Sequence, residues 1–396
     1  MTIVQLVANP GPFNLARYRA FGHLCQSELA QDLVVVAGYS QRRKYLWGEI
    51  GDDASFHLVK FHCDQERELF YGRAAAIRAV TCLEELKPLA VFAVGYRIRF
   101  MREAARWSRR QGAVSVHVNE TWKGDKPRYW PVELYKRWLC RSLYDGMFLG
   151  GWRQVEYYAG LHFPSGRMWR GYNVVDNKHF RELSGEARRL ADDWRARLSL
   201  PEEYFLCVAR FSREKNIPRL IAAFNRYQER GGTWSLVLVG EGPQREAIER
   251  SAAGNPSILI YPWQAYETIP VFYALASCLI LPSVSEPWGL VVNEAMACGL
   301  PVAVSQKCGC QPELCWRGIN GYDFSPYNLE DIAEAMLYFS RKDARELREM
   351  GIASSAIIDR FTPEIAAAAQ MDCLRTLLDA RAQPVSLAGK PLEAVA

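Results

Sequence analysis

Short apolar runs alternate with longer amphipathic segments over most of the chain. In the first half the apolar runs predict strands at residues 3–7, 33–37, 89–94, 114–116 and 147–149. Residues 15–30 and 69–86 carry apolar side chains at helical spacing and predict helices between these strands. A further apolar run at residues 171–176 predicts a strand and a turn that end this half. Such alternation favours a parallel α/β sheet.

The alternation resumes after a polar segment rich in Arg and Glu at residues 181–198, which we interpret as a connector between two domains. The second half predicts strands at residues 205–208, 235–239, 258–261, 278–281, 302–305 and 321–324. It predicts helices at residues 216–230, 244–252, 268–275 and 329–340, and two more after residue 343, separated near residues 361–363.

The pattern therefore predicts two Rossmann-like parallel α/β domains that face each other across a central cleft. We place the first domain at residues 1–180 and the second at residues 181–364, and we expect a helix at about residues 365–382 to pack back on the first domain. Residues 383–396 are rich in Pro and Ala and are expected to be disordered. Ligands of such folds bind at the carboxyl ends of the strands, so the cleft is the expected site.

The composition is that of a globular protein, with 49% hydrophobic and 23% charged residues. No apolar run reaches the roughly 18–20 residues that a membrane span needs, and no basic leader precedes the first predicted strand. The eleven cysteines are scattered, many of them in apolar contexts, which favours free thiols in a reducing compartment. From these features we expect a cytoplasmic protein.

Positive charge is concentrated in one stretch of the chain. The net charge is +5, whereas residues 97–141 contain 12 Lys or Arg and 4 acidic residues, a local charge of +8. Six Trp and Tyr residues are interleaved with these charges: Trp107, Trp122, Tyr129, Trp130, Tyr135 and Trp138. This pattern suits equally well a peripheral surface for anionic lipid head groups or an anionic acceptor, and a solvated helix face beside core aromatics. The sequence contains no recognised nucleic-acid-binding motif.

Several motifs with well-defined chemistry are absent. No Gly-x-Gly-x-x-Gly follows the first strand, which argues against a dinucleotide-dependent oxidoreductase, and no Gly-x-x-x-x-Gly-Lys-Ser/Thr supports a P-loop ATPase. Cys308, Cys310 and Cys315 have neither a matching second cysteine pair nor a nearby histidine, so we favour a structural turn over a zinc site there.

Cationic and glycine residues follow two strands of the second half. Arg210 and Lys215 come after the strand at residues 205–208, directly before a predicted helix, where they could bind phosphate oxygens. The alternative is a solvated loop with ordinary surface charges. Gly240 and Gly242 follow the strand at residues 235–239, where glycine either admits the close approach of a ligand or serves only the turn.

The segment between residues 281 and 302 holds the strongest signal. A Pro/Ser loop with Glu286 turns at Gly289 into a short helix with Glu294. A helix N-terminus binds anions, here through the backbone amides of Gly289, Leu290 and Val291. Two carboxylates on either side of a phosphate site suit hydrogen bonds to hydroxyl groups that flank a diphosphate. The alternative is an acidic cap and a surface carboxylate without a ligand.

Together these motifs resemble those of the retaining glycosyltransferases of family 4, which have the GT-B fold. The similarity covers nearly all of residues 204–340 and extends only loosely into the first half. It is carried by Arg210 and Lys215, by Gly240-Glu-Gly-Pro243, by Asn320-Gly321 and above all by Glu286-Pro-Trp-Gly-Leu-Val-Val-Asn-Glu294 with its flanks.

The resemblance implies a nucleotide-diphosphate sugar, such as a UDP- or GDP-sugar, as the donor, bound mainly by the second domain. Arg210 and Lys215 would bind the diphosphate, Glu286 the hydroxyls of the transferred sugar, and Glu294 the ribose. The remaining donor contacts would come from the backbone at Gly289, Leu290 and Val291 and from Gly240, Gly242 and Gly309.

The first domain would contribute His117, facing the donor sugar, with Glu120 as the second candidate. One segment departs from the family pattern: Cys308-Gly-Cys310 stands where many relatives carry a Gly-Gly pair. The details of the sugar pocket therefore stay open.

The chain contains no Asp-x-Asp pair, so we expect Arg, Lys and helix amides to neutralise the leaving diphosphate without a metal ion or another cofactor. The resemblance implies a hexosyltransferase that retains the anomeric configuration. Its acceptor would be a glycan or lipid-linked molecule of cell-surface polysaccharide or glycolipid synthesis, reached at the inner face of the membrane. Two alternatives stay open: a GT-B epimerase or phosphorylase, and a non-catalytic protein that binds nucleotide sugars or a membrane surface.

Overall fold

Two separate parallel β-sheets, each flanked by helices, form the protein. The computed structural model describes residues 2–40 and 49–382. Within these ranges one sheet has seven strands and the other has six. Parallel neighbours need long crossover connections, which explains why helices separate most of the strands. The predicted fold class, two parallel α/β domains, is confirmed.

The first domain contains the seven-stranded sheet, in the order β3-β2-β1-β4-β5-β6-β7. Its strands are β1 Thr2–Ala8, β2 Asp32–Ser40, β3 His57–Cys63, β4 Ala90–Val94, β5 Val114–Asn119, β6 Gly146–Leu149 and β7 Met168–Arg170. Its helices are α1 Leu15–Leu29, α2 Glu66–Tyr71, α3 Arg73–Leu86, α4 Arg99–Gln111, α5 Trp130–Leu143 and α6 Trp152–Gly160.

The six-stranded sheet of the second domain has the order β10-β9-β8-β11-β12-β13. Its strands are β8 Tyr204–Val208, β9 Ser235–Val239, β10 Ile258–Tyr261, β11 Cys278–Leu281, β12 Val302–Ser305 and β13 Gly321–Phe324. The helices before and within this sheet are α7 Asn177–Arg189, α8 Ala191–Leu198, α9 Ile217–Glu229, α10 Arg245–Ala252, α11 Ile269–Leu275, α12 Leu290–Ala297 and α13 Gln311–Leu314. The last three helices are α14 Leu329–Ser340, α15 Ala344–Ile358 and α16 Pro363–Ala382.

The two helices at the domain boundaries pack on different domains. Helix α7 packs against α11 and α12, and its Phe180 and Ala187 belong to the core of the second domain. The segment interpreted as a connector is therefore largely part of that domain. Helix α16 crosses back to the first domain and packs against α1. Its Gln370 also donates a hydrogen bond to the side-chain oxygen of Gln5 in β1 at 3.2 Å.

Three details of the predicted elements are wrong. Residues 171–176 form no strand: Val174 and Val175 are buried, but in an extended segment that passes from the first domain to the second. Strands β3 and β7 were not predicted, because β3 alternates with charged and polar residues and β7 has only three residues. The helix predicted at residues 69–86 begins earlier and is broken at Gly72, whose backbone is extended.

The predicted disordered tail at residues 383–396 lies outside the described residues. Among the residues that the structure does describe, no helix combines the length and the apolar character required to cross a membrane.

Candidate active site

The candidate site lies where the loops of the second domain leave β8 and β11, the point at which the strand order of its sheet reverses. The loop after β11 turns into α12 at Gly289, whose φ of 108° is a conformation that glycine adopts without strain. The first backbone amides of α12 are thereby presented at the carboxyl edge of the sheet, where they provide an anion-binding helix N-terminus.

Glu286 is held in a fixed position in the loop between β11 and α12. Its carboxylate accepts hydrogen bonds from the Lys215 ammonium group and from the Ser283 hydroxyl at 3.3 Å. Its backbone oxygen accepts from the amide of Gly309 at 3.0 Å and from the indole nitrogen of Trp122 at 3.1 Å. The structure thus brings together two residues that the sequence placed 71 positions apart.

Arg210 follows β8 and lines a cavity of about 660 Å³ next to this pair. Arg213 also lines the cavity, and Glu214 is its one acidic residue. In the described part of the chain, no carboxylate lies within 4 Å of the Arg210 guanidinium group. Its charge is therefore available for phosphate oxygens, with which a guanidinium group forms paired hydrogen bonds.

Three of the four glycines predicted at the donor site lie close to the protein's own backbone. A Cβ atom on Gly240 would lie 1.9 Å from the oxygen of Ala209, and one on Gly242 would lie 2.5 Å from that of Phe211. A Cβ atom on Gly309 would lie 1.8 Å from the oxygen of Pro287. Glycine is required at these positions so that the loops after β8, β9 and β11 can pack together and hold Arg210 and Glu286.

Glu294 lies on α12, one turn beyond the helix start, and faces α11. The Tyr273 hydroxyl donates a hydrogen bond of 2.6 Å to its carboxylate. Burial raises the pKa of Glu294 to about 7, although the Tyr273 hydrogen bond acts in the opposite direction. A buried carboxylate with one fixed donor retains further acceptor sites, so it can bind sugar hydroxyls at the edge of the site.

The prediction that His117 faces the donor sugar is corrected by the structure. His117 is fully buried in the first domain, where its ring stacks on Tyr144 at 4.7 Å and its Nε2 atom lies 3.1 Å from the Tyr158 hydroxyl. Burial, assisted by the ammonium group of Lys136, lowers the pKa of His117 to about 3. The histidine is a neutral core residue because it lies inside β5 and not beyond its end.

Glu120, directly after β5, is the first-domain carboxylate that faces Glu286. Burial raises the pKa of Glu120 to about 7, with the Arg17 charge lowering it and the Glu286 charge raising it further. The side-chain amide of Gln154 donates to the backbone oxygens of both Glu120, at 2.7 Å, and Pro287, at 2.9 Å. A single side chain thus ties the two carboxylate-bearing loops together across the cleft.

Further hydrogen bonds hold the two domains close around this point. The Arg153 guanidinium group donates to the backbone oxygen of Cys308 at 2.7 Å and stacks on the Trp122 ring at 4.4 Å. Glu313 of the second domain accepts from the backbone amide of Trp152, at the start of α6, and pairs with Arg170 at 3.3 Å. No motif in the sequence indicated these residues, because each contact between the two domains joins positions more than 130 residues apart.

The cysteines near the site are part of the core. Cys308 and Cys310 are fully buried, and burial raises the pKa of both thiols well above its usual value. Over residues 2–40 and 49–382, no three His, Cys, Asp or Glu side chains are grouped closely enough to form a metal site.

The fold and the site define a class of protein. Two parallel α/β domains that face each other across a cleft, with cations, a helix N-terminus and two carboxylates on the second domain, form the GT-B architecture of glycosyltransferases. A solved structure illustrates the likeness: HepE of Anabaena in complex with UDP has a TM-score of 0.71 and 16% identity, and the match covers 95% of this chain and 100% of that chain.

The family model named glycosyl transferases group 1 matches residues 191–354. A sulfoquinovosyl transferase of Arabidopsis thaliana is 30% identical over 188 residues, 46% of this chain and 34% of that protein. An alpha-D-kanosaminyltransferase of Streptomyces kanamyceticus is 29% identical over 174 residues, 43% of this chain and 44% of that protein. The chain thus spans less than half the length of these curated relatives. The resemblance to glycosyltransferases is confirmed at the level of group 1.

Proposed function

We propose that the protein transfers a sugar from a nucleotide-diphosphate sugar to an acceptor hydroxyl and keeps the anomeric configuration. The observation that carries this proposal is the ion pair of Lys215 and Glu286 beside the N-terminus of α12. It combines a phosphate-binding cation, a helix terminus and a sugar-binding carboxylate at one sheet edge. Neither an acidic cap nor an ordinary surface loop accounts for all three.

In this proposal the second domain binds the donor. Arg210, Lys215 and the amides of Gly289, Leu290 and Val291 hold the diphosphate, and Glu294 binds the ribose. Glu286 binds hydroxyls of the transferred sugar. Glu120 approaches the sugar from the first domain in place of His117.

The reaction breaks the bond between the anomeric carbon and the diphosphate oxygen and forms one to the acceptor oxygen on the same face. The acceptor proton passes to an oxygen of the departing diphosphate. Arg210, Lys215 and the α12 amides stabilise the negative charge that develops on this leaving group, and the carboxylates of Glu120 and Glu286 lie on the side where the sugar becomes positive. We propose that this charge compensation proceeds without a metal ion.

The donor is proposed to be a UDP- or GDP-sugar, which is supported by the complexes of HepE with UDP and with UDP-glucose. For the acceptor we propose a glycan or a lipid-linked sugar of cell-surface polysaccharide or glycolipid synthesis. The proposed location is the cytoplasm, at the inner face of the membrane.

A thermal-shift screen of UDP- and GDP-sugars tests the donor proposal, because a ligand that binds the folded state raises Tm. One nucleotide sugar should stabilise the wild type and not the Lys215→Ala variant. Stabilisation by none of them would remove the proposal. With the donor known, NMR of the product decides between retention and inversion. Consumption of donor without any acceptor would indicate an epimerase, and a requirement for inorganic phosphate a phosphorylase.

A further inference from the structure

The structure separates the six Trp and Tyr residues of the basic stretch into two groups. Trp107 is buried, and Trp122 contacts the Glu286 loop. The other four are strongly exposed: Tyr129 at 69% of its surface, Trp130 at 75%, Tyr135 at 50% and Trp138 at 63%. The exposed group lies on or directly before α5.

Helix α5 buries one face and leaves the opposite face open. Its buried side chains are Lys136, Leu139, Cys140 and Leu143. Trp130, Leu134 and Trp138 are four residues apart and form one exposed stripe, as the helical repeat requires. Tyr135 is exposed beside this stripe. We call Trp130, Leu134, Tyr135, Arg137, Trp138 and Arg141 the α5 face.

The charge of the α5 face is positive. Neither Arg137 nor Arg141 has a carboxylate within 4 Å among the described residues. Glu133, the one acidic residue of α5, turns to the protein: it accepts a hydrogen bond from Tyr157 and lies 3.8 Å from Arg128. The negative charge of Glu133 is therefore compensated within the protein, whereas the positive charges of Arg137 and Arg141 are not.

We propose that the α5 face docks on the surface of an anionic lipid bilayer. Trp and Tyr side chains have an apolar ring and a polar group, which suits the head-group region, and unpaired arginines bind lipid phosphates. A second copy of the chain fits less well, because a two-fold contact would bring Arg137 and Arg141 of both copies together. The proposal does not depend on the donor or on transferase activity.

The α5 face is connected to the cleft through the loop that precedes it. Arg128 donates to the backbone oxygen of Trp122 and to the carboxylate of Asp125. Trp122 in turn donates to the backbone oxygen of Glu286, and the backbone oxygen of Asp125 accepts a hydrogen bond from the Ser285 hydroxyl. A bilayer on the α5 face would therefore lie beside the cleft entrance, where a membrane-bound acceptor would be within reach.

Cosedimentation with vesicles tests the proposal without any substrate. The full chain should bind vesicles that contain phosphatidylglycerol at low salt and release them at high salt, and should not bind vesicles of phosphatidylcholine alone. The double variant Arg137→Gln/Arg141→Gln should bind about 30-fold more weakly, since each arginine near an anionic surface contributes a factor of about 5. Trp130→Ser/Trp138→Ser should bind these vesicles more weakly than the wild type at low salt.

Matched variants elsewhere on the surface serve as controls. Arg341→Gln/Arg348→Gln removes two exposed charges from the second domain, and Tyr327→Ser removes an exposed aromatic ring. Both should bind vesicles like the wild type, and all variants should keep the wild-type Tm. The proposal is overturned if the wild type does not bind anionic vesicles, or if the α5 variants bind like the controls. It is also overturned if sedimentation velocity without lipid shows a dimer that the tryptophan variant dissociates.

Discussion

The ammonium group of Lys215 and the carboxylate of Glu286 form an ion pair across the carboxyl ends of β8 and β11, with side chains only 19% and 12% exposed. Such a pair is costly to break from one side, because the remaining charge loses the opposite charge that it pairs with away from water. The two side chains therefore fix each other's positions.

Lys215→Ala and Glu286→Ala should each lower kcat/KM by at least about 100-fold, because each removes a charge at the reacting centre. Each single variant should also lose unfolding free energy, because the remaining side chain loses the opposite charge of this pair. The double variant Lys215→Met/Glu286→Leu should regain most of the stability and none of the activity. Near-normal transfer in both single variants would contradict the assigned site.

The raised pKa of Glu294 predicts that the stability of the protein depends on pH. In the folded protein its pKa is raised to about 7, from 4.5 for the exposed side chain. Between these values the folded state holds more protons than the unfolded chain, so this carboxyl makes the unfolding free energy fall as pH rises through that window. Glu294→Gln should remove this contribution. The Tm of the variant minus that of the wild type should therefore increase between about pH 5 and about pH 8.

Thermal melts at a series of pH values measure this difference. Glu84→Gln, at an exposed position, is the matched control, and its plot of Tm against pH should be parallel to that of the wild type. Parallel curves for Glu294→Gln would show that its carboxyl is not protonated in the folded state at neutral pH.

Glu120 and His117 should respond in opposite ways to substitution. Glu120→Gln keeps the shape of the side chain and should not lower Tm, while kcat falls about 100-fold because a charge proposed to face the sugar is lost. His117→Ala empties a core position and should cost about 2–4 kcal/mol of stability with little change in kcat per folded molecule. Activity assays and denaturant melts on both variants decide the matter. The reverse outcome would restore His117 to the site.

Gly151→Ala should hinder contact between the domains. A Cβ atom there would lie 1.9 Å from Oε2 of Glu313 and 2.6 Å from the Trp288 ring. We expect a larger radius of gyration by X-ray scattering and lower kcat/KM. Gly160→Ala, at the other end of α6, meets no atom within 4 Å and is the control. Equal scattering curves for the two variants would show that the contact seen at Gly151 does not limit closure.

Transfer should persist in EDTA, because Arg210, Lys215 and the α12 amides are proposed to neutralise the diphosphate. The measurement is the initial rate in EDTA and after addition of Mg²⁺. A rate that collapses in EDTA and returns with Mg²⁺ would assign part of that charge compensation to a metal ion.

The sequence predicted the second domain more completely than the first. Its six strands are short apolar runs bounded by turn residues, as buried parallel strands should be. In the first domain β3 is half polar and β7 is short, so their apolar patterns are weak. Val174 and Val175 produced a false strand because burial in a crossover segment and burial in a sheet give the same composition.

The candidate site residues of the second domain were likewise easier to predict from the sequence than those of the first. Glu286, Lys215 and Arg210 could be found because each follows a predicted strand within one sheet. Glu120 and His117 differ by only three positions, and the end of β5 decides which one reaches the cleft. Gln154 and Glu313 could not be found from the sequence, because their role depends on how the two domains pack.

Helix α16 has a consequence for the order in which the protein is made. Its Leu374 and Leu377 fill the core of the first domain, and its Arg375 pairs with Glu28 at 2.7 Å. On the ribosome, the strands of the first domain emerge early and must wait for a helix that is translated after the entire second domain. The first domain can therefore complete its core only after the second domain has been synthesised, and a nascent chain halted before residue 363 would lack the helix that covers this apolar surface.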